Sequence, residues 1–161
     1  MISGDDTKLR EAGFCGFKSI CALRRSKLAE VPEEQGIYLI LRPDRCPPHF
    51  LYMKDSIRTS DLEELQAQWV EGSRILYIGK AGGSDIAEKL RDRLKRYFRY
   101  GEGHRGSGHA GGKRIWELTN SAELIACWKT TPSDEPRMVE SELQEAFHEH
   151  FGKYPFANDR G

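Results

Sequence analysis

Two short β-rich runs constrain the fold of this chain more than any other feature in it: GIYLILR at residues 36–42 and RILYIGK at residues 74–80. The first is bounded by Glu34 and Gln35 before it and by Pro43 after it, and an apolar run of that length closed by a proline reads as a buried strand. The second runs into Ala81-Gly82-Gly83, which supplies the turn that ends it. Residues 37–41 are also the longest uninterrupted aliphatic and aromatic stretch, far short of the roughly 20 residues that span a bilayer. The expectation is a domain organised on a sheet, with no membrane partner.

The remaining pattern adds helices to that sheet. Residues 50–53 offer a shorter strand. Residues 60–70 open with Ser60 or Asp61 as N-cap and carry Leu62, Leu65 and Trp69 at helical spacing. After the glycine turn, Ser84 or Asp85 stands where it would cap a long helix to about residue 100, with Ile86, Leu90, Leu94 and Phe98 as its core-facing stripe. Residues 101–112, rich in Gly and His, read as a loop, 114–119 as a short helix and 122–130 as a last strand. Pro136 sits at a permitted first-turn position of a final helix to about residue 150. No repeat or long linker divides the chain, so residues 1–161 read as one α+β domain: a small central antiparallel or mixed β-sheet flanked by helices, with residues 1–35 an N-terminal extension.

Charge is balanced overall, 25 Lys plus Arg against 25 Asp plus Glu, with 38% apolar and 31% charged residues; that composition builds one modest core and excludes disorder. The start has no basic segment followed by an apolar one, so the cytoplasm is the expected compartment. Cys15, Cys21, Cys46 and Cys127 form no C-x-x-C pair and read as free thiols. The distribution of charge is uneven. Residues 80–116 hold ten basic against four acidic side chains, a cationic patch suited to a polyanion. Arg91, Lys95 and Arg99 recur four apart on the long helix and form a row. Beyond it, glycines beside His109 let the backbone approach a phosphate while Lys113 and Arg114 supply charge; His109 serves either as a substrate contact or as a structural loop residue.

One acidic residue stands apart. At about 100° per residue along the last helix, Val139, Leu143, Ala146, Phe147 and Phe151 define an apolar arc, and Glu140 falls inside it, between Phe147 and Phe151. Glu142, Glu145 and Glu149 fall outside. A carboxylate on a buried face is costly unless paired or bound to a cation, so Glu140 is either a metal ligand or half of an internal ion pair, with Arg93 a candidate partner.

Gly36-Ile37-Tyr38, Tyr77-Ile78-Gly79 followed by Lys80, a glycine turn and a helix with Arg93 at its middle form a long-range pattern that resembles the GIY-YIG nuclease superfamily. The resemblance covers residues 36–158, and His109-Ala110-Gly111-Gly112, Ile115-Trp116 and the closing Pro155-Phe156-Ala157-Asn158 bring it near the small stand-alone bacterial members. One departure is plain: Tyr38 and Tyr77 are 39 residues apart, so residues 42–73 read as an insertion where the family has a short hairpin. The resemblance implies a GIY-YIG nuclease-like fold and a metal-dependent endonuclease that hydrolyses phosphodiester bonds, with DNA as partner and Mg²⁺ (or Mn²⁺) as cofactor. It implies a base at Tyr38, with Lys80 either lowering the phenol pKa or sharing the proton transfer, and Arg93 neutralising phosphoryl charge. Tyr77 and Tyr97 would orient water and phosphate, Glu140 would hold the metal, and Asn158 would brace the site. Repair, restriction and mobile-element roles fit equally, and specificity would come from the insertion, the His109 loop or a protein partner. The rival class is a non-catalytic nucleic-acid-binding module that keeps the nuclease fold.

Overall fold

The two motif runs lie side by side although their tyrosines are 39 positions apart. The computed structural model describes residues 4–51, 62–84, 86–104 and 111–159. In chain order its elements are α1 (Asp6–Glu11), β1 (Cys15–Ser19), α2 (Ile20–Arg25), β2 (Gly36–Leu41), α3 (Leu62–Gln68), β3 (Ile75–Ala81), α4 (Leu90–Gly101), β4 (Ile125–Thr130) and α5 (Pro136–Phe151), with short 3-10 turns at Lys113–Glu117 and Ser121–Glu123. The strands form one sheet in the order β1-β4-β2-β3, and every pairing is antiparallel. The fold is therefore α+β with an antiparallel sheet, which resolves the choice between antiparallel and mixed.

All six residues of β2 are buried, because this strand is interior to the sheet and helices cover both of its faces. Successive side chains point to opposite faces. Ile37, Leu39 and Leu41 pack with Leu9, Ile78 and Phe147 on the α1 and α5 side. Tyr38 and Ile40 pack with Leu90, Leu94, Tyr97, Phe98 and Trp116 on the α2 and α4 side. Leu94 is fully buried, and truncating such a residue to alanine costs about 2–5 kcal/mol. Among the described residues no helix is long and apolar enough to cross a membrane.

Two expectations need correction. The long helix begins at Leu90, not at Ser84 or Asp85, and its N-cap is Lys89 with no side-chain cap bond. Ser84 is engaged elsewhere: its backbone N–H and its hydroxyl donate to the Glu135 carboxylate at 2.9 and 3.1 Å. Ile86 accordingly precedes the helix, while Leu90, Leu94 and Phe98 form the buried stripe as expected. Within residues 1–35, read as an N-terminal extension, lies β1, an outer strand of the sheet paired with β4. Its signal is weak because Gly16 and Phe17 take positive φ of 95° and 56° and the strand shifts register there. Of the short strand at 50–53, Phe50 makes only an isolated bridge with Leu118. Met53, Ser60, Asp61, Asp85 and His109 lie outside the described residues.

Candidate active site at the edge of the sheet

β3 is an edge strand, and an edge leaves backbone donors and acceptors in need of partners. The C-terminal segment supplies them. Ile78 N–H donates to Asn158 Oδ1 at 3.0 Å, Asn158 Nδ2–H donates to the Ile78 carbonyl at 2.9 Å, and Ala157 N–H donates to the Leu76 carbonyl at 2.8 Å. Asn158 thus pairs with the strand through one amide group, in the manner of an added strand residue. This geometry anchors the chain end against β3, where side chains from both faces of the sheet meet. A cavity of about 450 Å³ opens there, with Tyr77, Lys80, Arg93, Glu140, Gln144 and Asn158 among the residues that line it.

Behind the cavity stand three tyrosines. The ring centroids of Tyr38, Tyr77 and Tyr97 are 5.9, 6.2 and 5.5 Å apart pairwise. Tyr38 and Tyr97 have no exposed surface and Tyr77 keeps 6%. Glycines make the cluster possible. A Cβ at Gly111 would stand 2.7 Å from the Tyr77 hydroxyl oxygen, and one at Gly112 would stand 2.5 Å from that of Tyr97. Gly112 has a φ of 76° as well, a region that side chains disfavour, and its carbonyl accepts the Tyr97 hydroxyl.

Burial pushes the Tyr38 phenol up to about 12, opposed by the Arg93 cation and by hydrogen bonds that its oxygen accepts from Tyr77 and Arg93. Burial is also the largest cause of the raised Tyr77 and Tyr97 values, with the Tyr38 and Glu140 charges adding to it at Tyr77. All three phenols are therefore neutral at ordinary pH. A cation that works on Tyr38 is Arg93, on α4. Lys80 Nζ lies 3.3 Å from Glu140 Oε1, with side-chain exposures of 18% and 16%.

Glu140 does sit half-sheltered on the sheet-facing side of α5, and its ion-pair partner is Lys80 where Arg93 was the candidate. Arg93 approaches Glu88 at 3.7 Å, and Glu88 also holds Arg96 at 2.9 Å. The Arg93 Nε–H is buried with no acceptor among the described residues, so this guanidinium retains donor capacity in a sheltered place.

The expected nucleic-acid-binding residues divide. Lys95 and Arg99 are exposed on α4. Arg91 is a structural tie: its Nε–H donates to the Val31 carbonyl at 2.8 Å and its Nη1 pairs with Glu33 at 3.0 Å. Arg114 is turned inward to Asp159 at 2.6 Å and to the Phe156 carbonyl at 3.2 Å, which pins the segment that carries Asn158. Lys113 lies 5.4 Å over the Tyr100 ring. The sequence reading missed Arg137, Gln144 and Asp159 at the cavity wall. Helical spacing held the signal for two of them, since Arg137 and Gln144 stand three before and four after Glu140 on one helix face.

Among the described residues no three His, Cys, Asp or Glu side chains gather around one point. Glu140 and Asp159 both line the cavity, and Asp159 is held by Arg114 at 2.6 Å, so the donor set fits an ion that takes Glu140 as its protein carboxylate and keeps most of its waters, as Mg²⁺ does. Comparison of the chain with protein-family models, with curated proteins and with solved structures found no match in any of the three.

Proposed function

We propose that this protein is a metal-dependent endonuclease of the GIY-YIG type, hydrolysing phosphodiester bonds in DNA. One observation carries the reading. Tyr77, Lys80, Arg93, Glu140 and Asn158, from two strand positions, two helices and the C-terminal segment, border a single cavity, with Tyr38 and Tyr97 directly behind Tyr77. Three cations (Lys80, Arg93 and Arg137), two carboxylates (Glu140 and Asp159) and a phenol share this cavity, a concentration of ionisable groups in a cleft that favours a functional site over a structural one.

In this reading Glu140 would hold Mg²⁺ or Mn²⁺, which when bound supplies Lewis-acid activation of the phosphate and charge for the departing oxygen. Arg93 lies across the cavity with unused donor capacity and offsets negative charge that grows on the phosphoryl oxygens. Tyr77 presents its hydroxyl at the wall and Tyr38 receives hydrogen bonds from Tyr77 and Arg93, so a proton can pass along phenol oxygens that are already aligned. Asn158 fixes the β3 backbone between Tyr77 and Gly79 and thereby the direction of the Tyr77 ring. Lys95 and Arg99 lie outside the cavity and offer contacts to the phosphate backbone.

The test is incubation of purified protein with supercoiled, linear, branched and single-stranded DNA in Mg²⁺, Mn²⁺ or EDTA. The expected outcome is strand cleavage of at least one form with metal and none in EDTA. Metal-independent binding without any cleavage would select the non-catalytic module.

A further inference from the structure

A second cavity, about 130 Å³, has Arg42, Asp44, Trp69, Asn120 and Glu123 among its lining. Trp69 packs edge-on against Phe156 at 5.1 Å, two residues before the Asn158 that lines the first cavity. Arg42 follows β2 directly, and its guanidinium carbon stands 4.7 Å over the Trp69 ring. The residue is only 8% exposed, yet among the described residues no carboxylate pairs with its guanidinium and no acceptor receives its N–H groups. None of its guanidinium nitrogens is among the fully enclosed atoms that lack a partner, so these donors open to accessible space, and the fork of a guanidinium held against an indole is free to bond edge-on in the cavity the residue lines.

The ligand chemistry follows from what surrounds that fork. The carboxylates of Asp44 and Glu123 line the cavity and those of Asp44 and Glu71 act on Arg42, so a phosphate or carboxylate would meet repulsion there. A neutral planar group with an acceptor edge would not. The space is also below the roughly 300 Å³ of a pocket for a whole small molecule, which suits one ring of a larger chain. Guanine carries O6 and N7 acceptors that match an arginine fork and an exocyclic amine that a carboxylate accepts. We infer that this cavity receives one unpaired guanine of a nucleic-acid strand, read by Arg42 through O6 and N7 and by Asp44 or Glu123 through the amine. The inference rests on the nucleic-acid reading above and adds to it a preference for substrates with an unstacked guanine.

The experiment uses the whole protein in EDTA, with binding of guanosine, 7-deazaguanosine, inosine and adenosine followed by NMR titration. Oligothymidylate with and without one central guanine is followed in parallel by fluorescence anisotropy. Guanosine is expected to bind at least roughly ten-fold tighter than adenosine or 7-deazaguanosine, the span a bidentate base contact supports, and inosine to fall between. Arg42→Lys, which keeps the charge and removes the fork, should erase the preference, with a thermal melt to confirm folding. The nucleoside arm needs neither metal nor cleavage, so it fails or succeeds separately from the nuclease reading. Nucleosides bound within two-fold of one another would overturn the inference. So would an Arg42→Lys effect that is equal for both oligonucleotides and fades with salt, which marks a phosphate contact.

Discussion

The ring of Tyr38 lies across Gly79, its register partner on β3, so closely that a Cβ at position 79 would stand 2.4 Å from Tyr38 Cζ and 2.6 Å from its hydroxyl oxygen. The glycine is steric: it leaves the space that lets the phenol reach toward Arg93. Gly36 acts alike, since a Cβ there would stand 2.2 Å from the Lys129 carbonyl oxygen on β4. Gly79→Ala should therefore force apart a ring already wedged between Tyr77 and Tyr97, at a cost of roughly 1–3 kcal/mol. That corresponds to a melting temperature lower by several degrees at this chain length, and cleavage should fall with it. An alanine variant that melts and cleaves as the parent does would remove the steric account.

That relation shows what was legible in the sequence. Ile37, Leu39 and Leu41 announce a buried strand by apolar content alone, and the wheel through Val139, Leu143 and Phe147 places Glu140 correctly on the sheltered face of α5. Partner choice was not legible, because Lys80 on β3 and Glu140 on α5 meet only when strand and helix assemble, while Arg93 turns to Glu88, just ahead of α4. The start of α4 was misread for a related reason. Ser84 has the chemistry of a cap, but its hydroxyl goes to Glu135, 51 residues later, while Leu90 N–H finds the Glu34 carbonyl at 2.9 Å. β1 was missed because its pairing with β4 rests on Gly16 receding beneath Trp128, where a Cβ would meet the indole at 2.5 Å.

Glu140→Gln should abolish metal-dependent cleavage while DNA affinity stays near that of the parent, because the amide keeps the shape and loses the charge that an oxygen-seeking cation needs. Lys80 competes for that charge at 3.3 Å. Lys80→Met is thus expected to tighten Mg²⁺ binding several-fold in calorimetric titration, an outcome opposite to that of Glu140→Gln. Near-parental cleavage by Glu140→Gln would move the ligand elsewhere on α5, with Glu142 the next candidate.

Affinity and turnover should separate on α4. Lys95 and Arg99 are exposed, so the double alanine variant should weaken DNA binding and reduce its salt slope by up to about one phosphate contact per residue. Arg91 is tied to Val31 and Glu33, so Arg91→Ala should lower the melting temperature more than the affinity. Arg93→Ala should lower the single-turnover rate at saturating DNA, because a contact that strengthens in the transition state acts on turnover. If Arg93→Ala changes affinity alone, its role is in binding only.

Tyr38→Phe keeps the ring and deletes the hydroxyl, which separates proton transfer from packing. With the phenol raised to about 12 by burial, only roughly one molecule in 10⁵ carries the phenolate at pH 7. A base of that kind gives a rate that climbs about ten-fold per pH unit across neutral and mildly alkaline pH. Parent single-turnover rates should follow that slope, and Tyr38→Phe should flatten it and lose about 10²- to 10⁴-fold near pH 8. The same shift sets a stability signature. The native state favours the protonated phenol, so its contribution is complete below the unfolded value near 10 and is lost as pH rises toward 12. The two-unit difference corresponds to roughly 3 kcal/mol. Thermal melts between pH 9 and 12 should therefore fall less steeply for Tyr38→Phe than for the parent. A variant that cleaves within a few-fold of the parent, with an unchanged pH slope, would show that Tyr38 orients Tyr77 and Arg93 and that the proton goes to another acceptor.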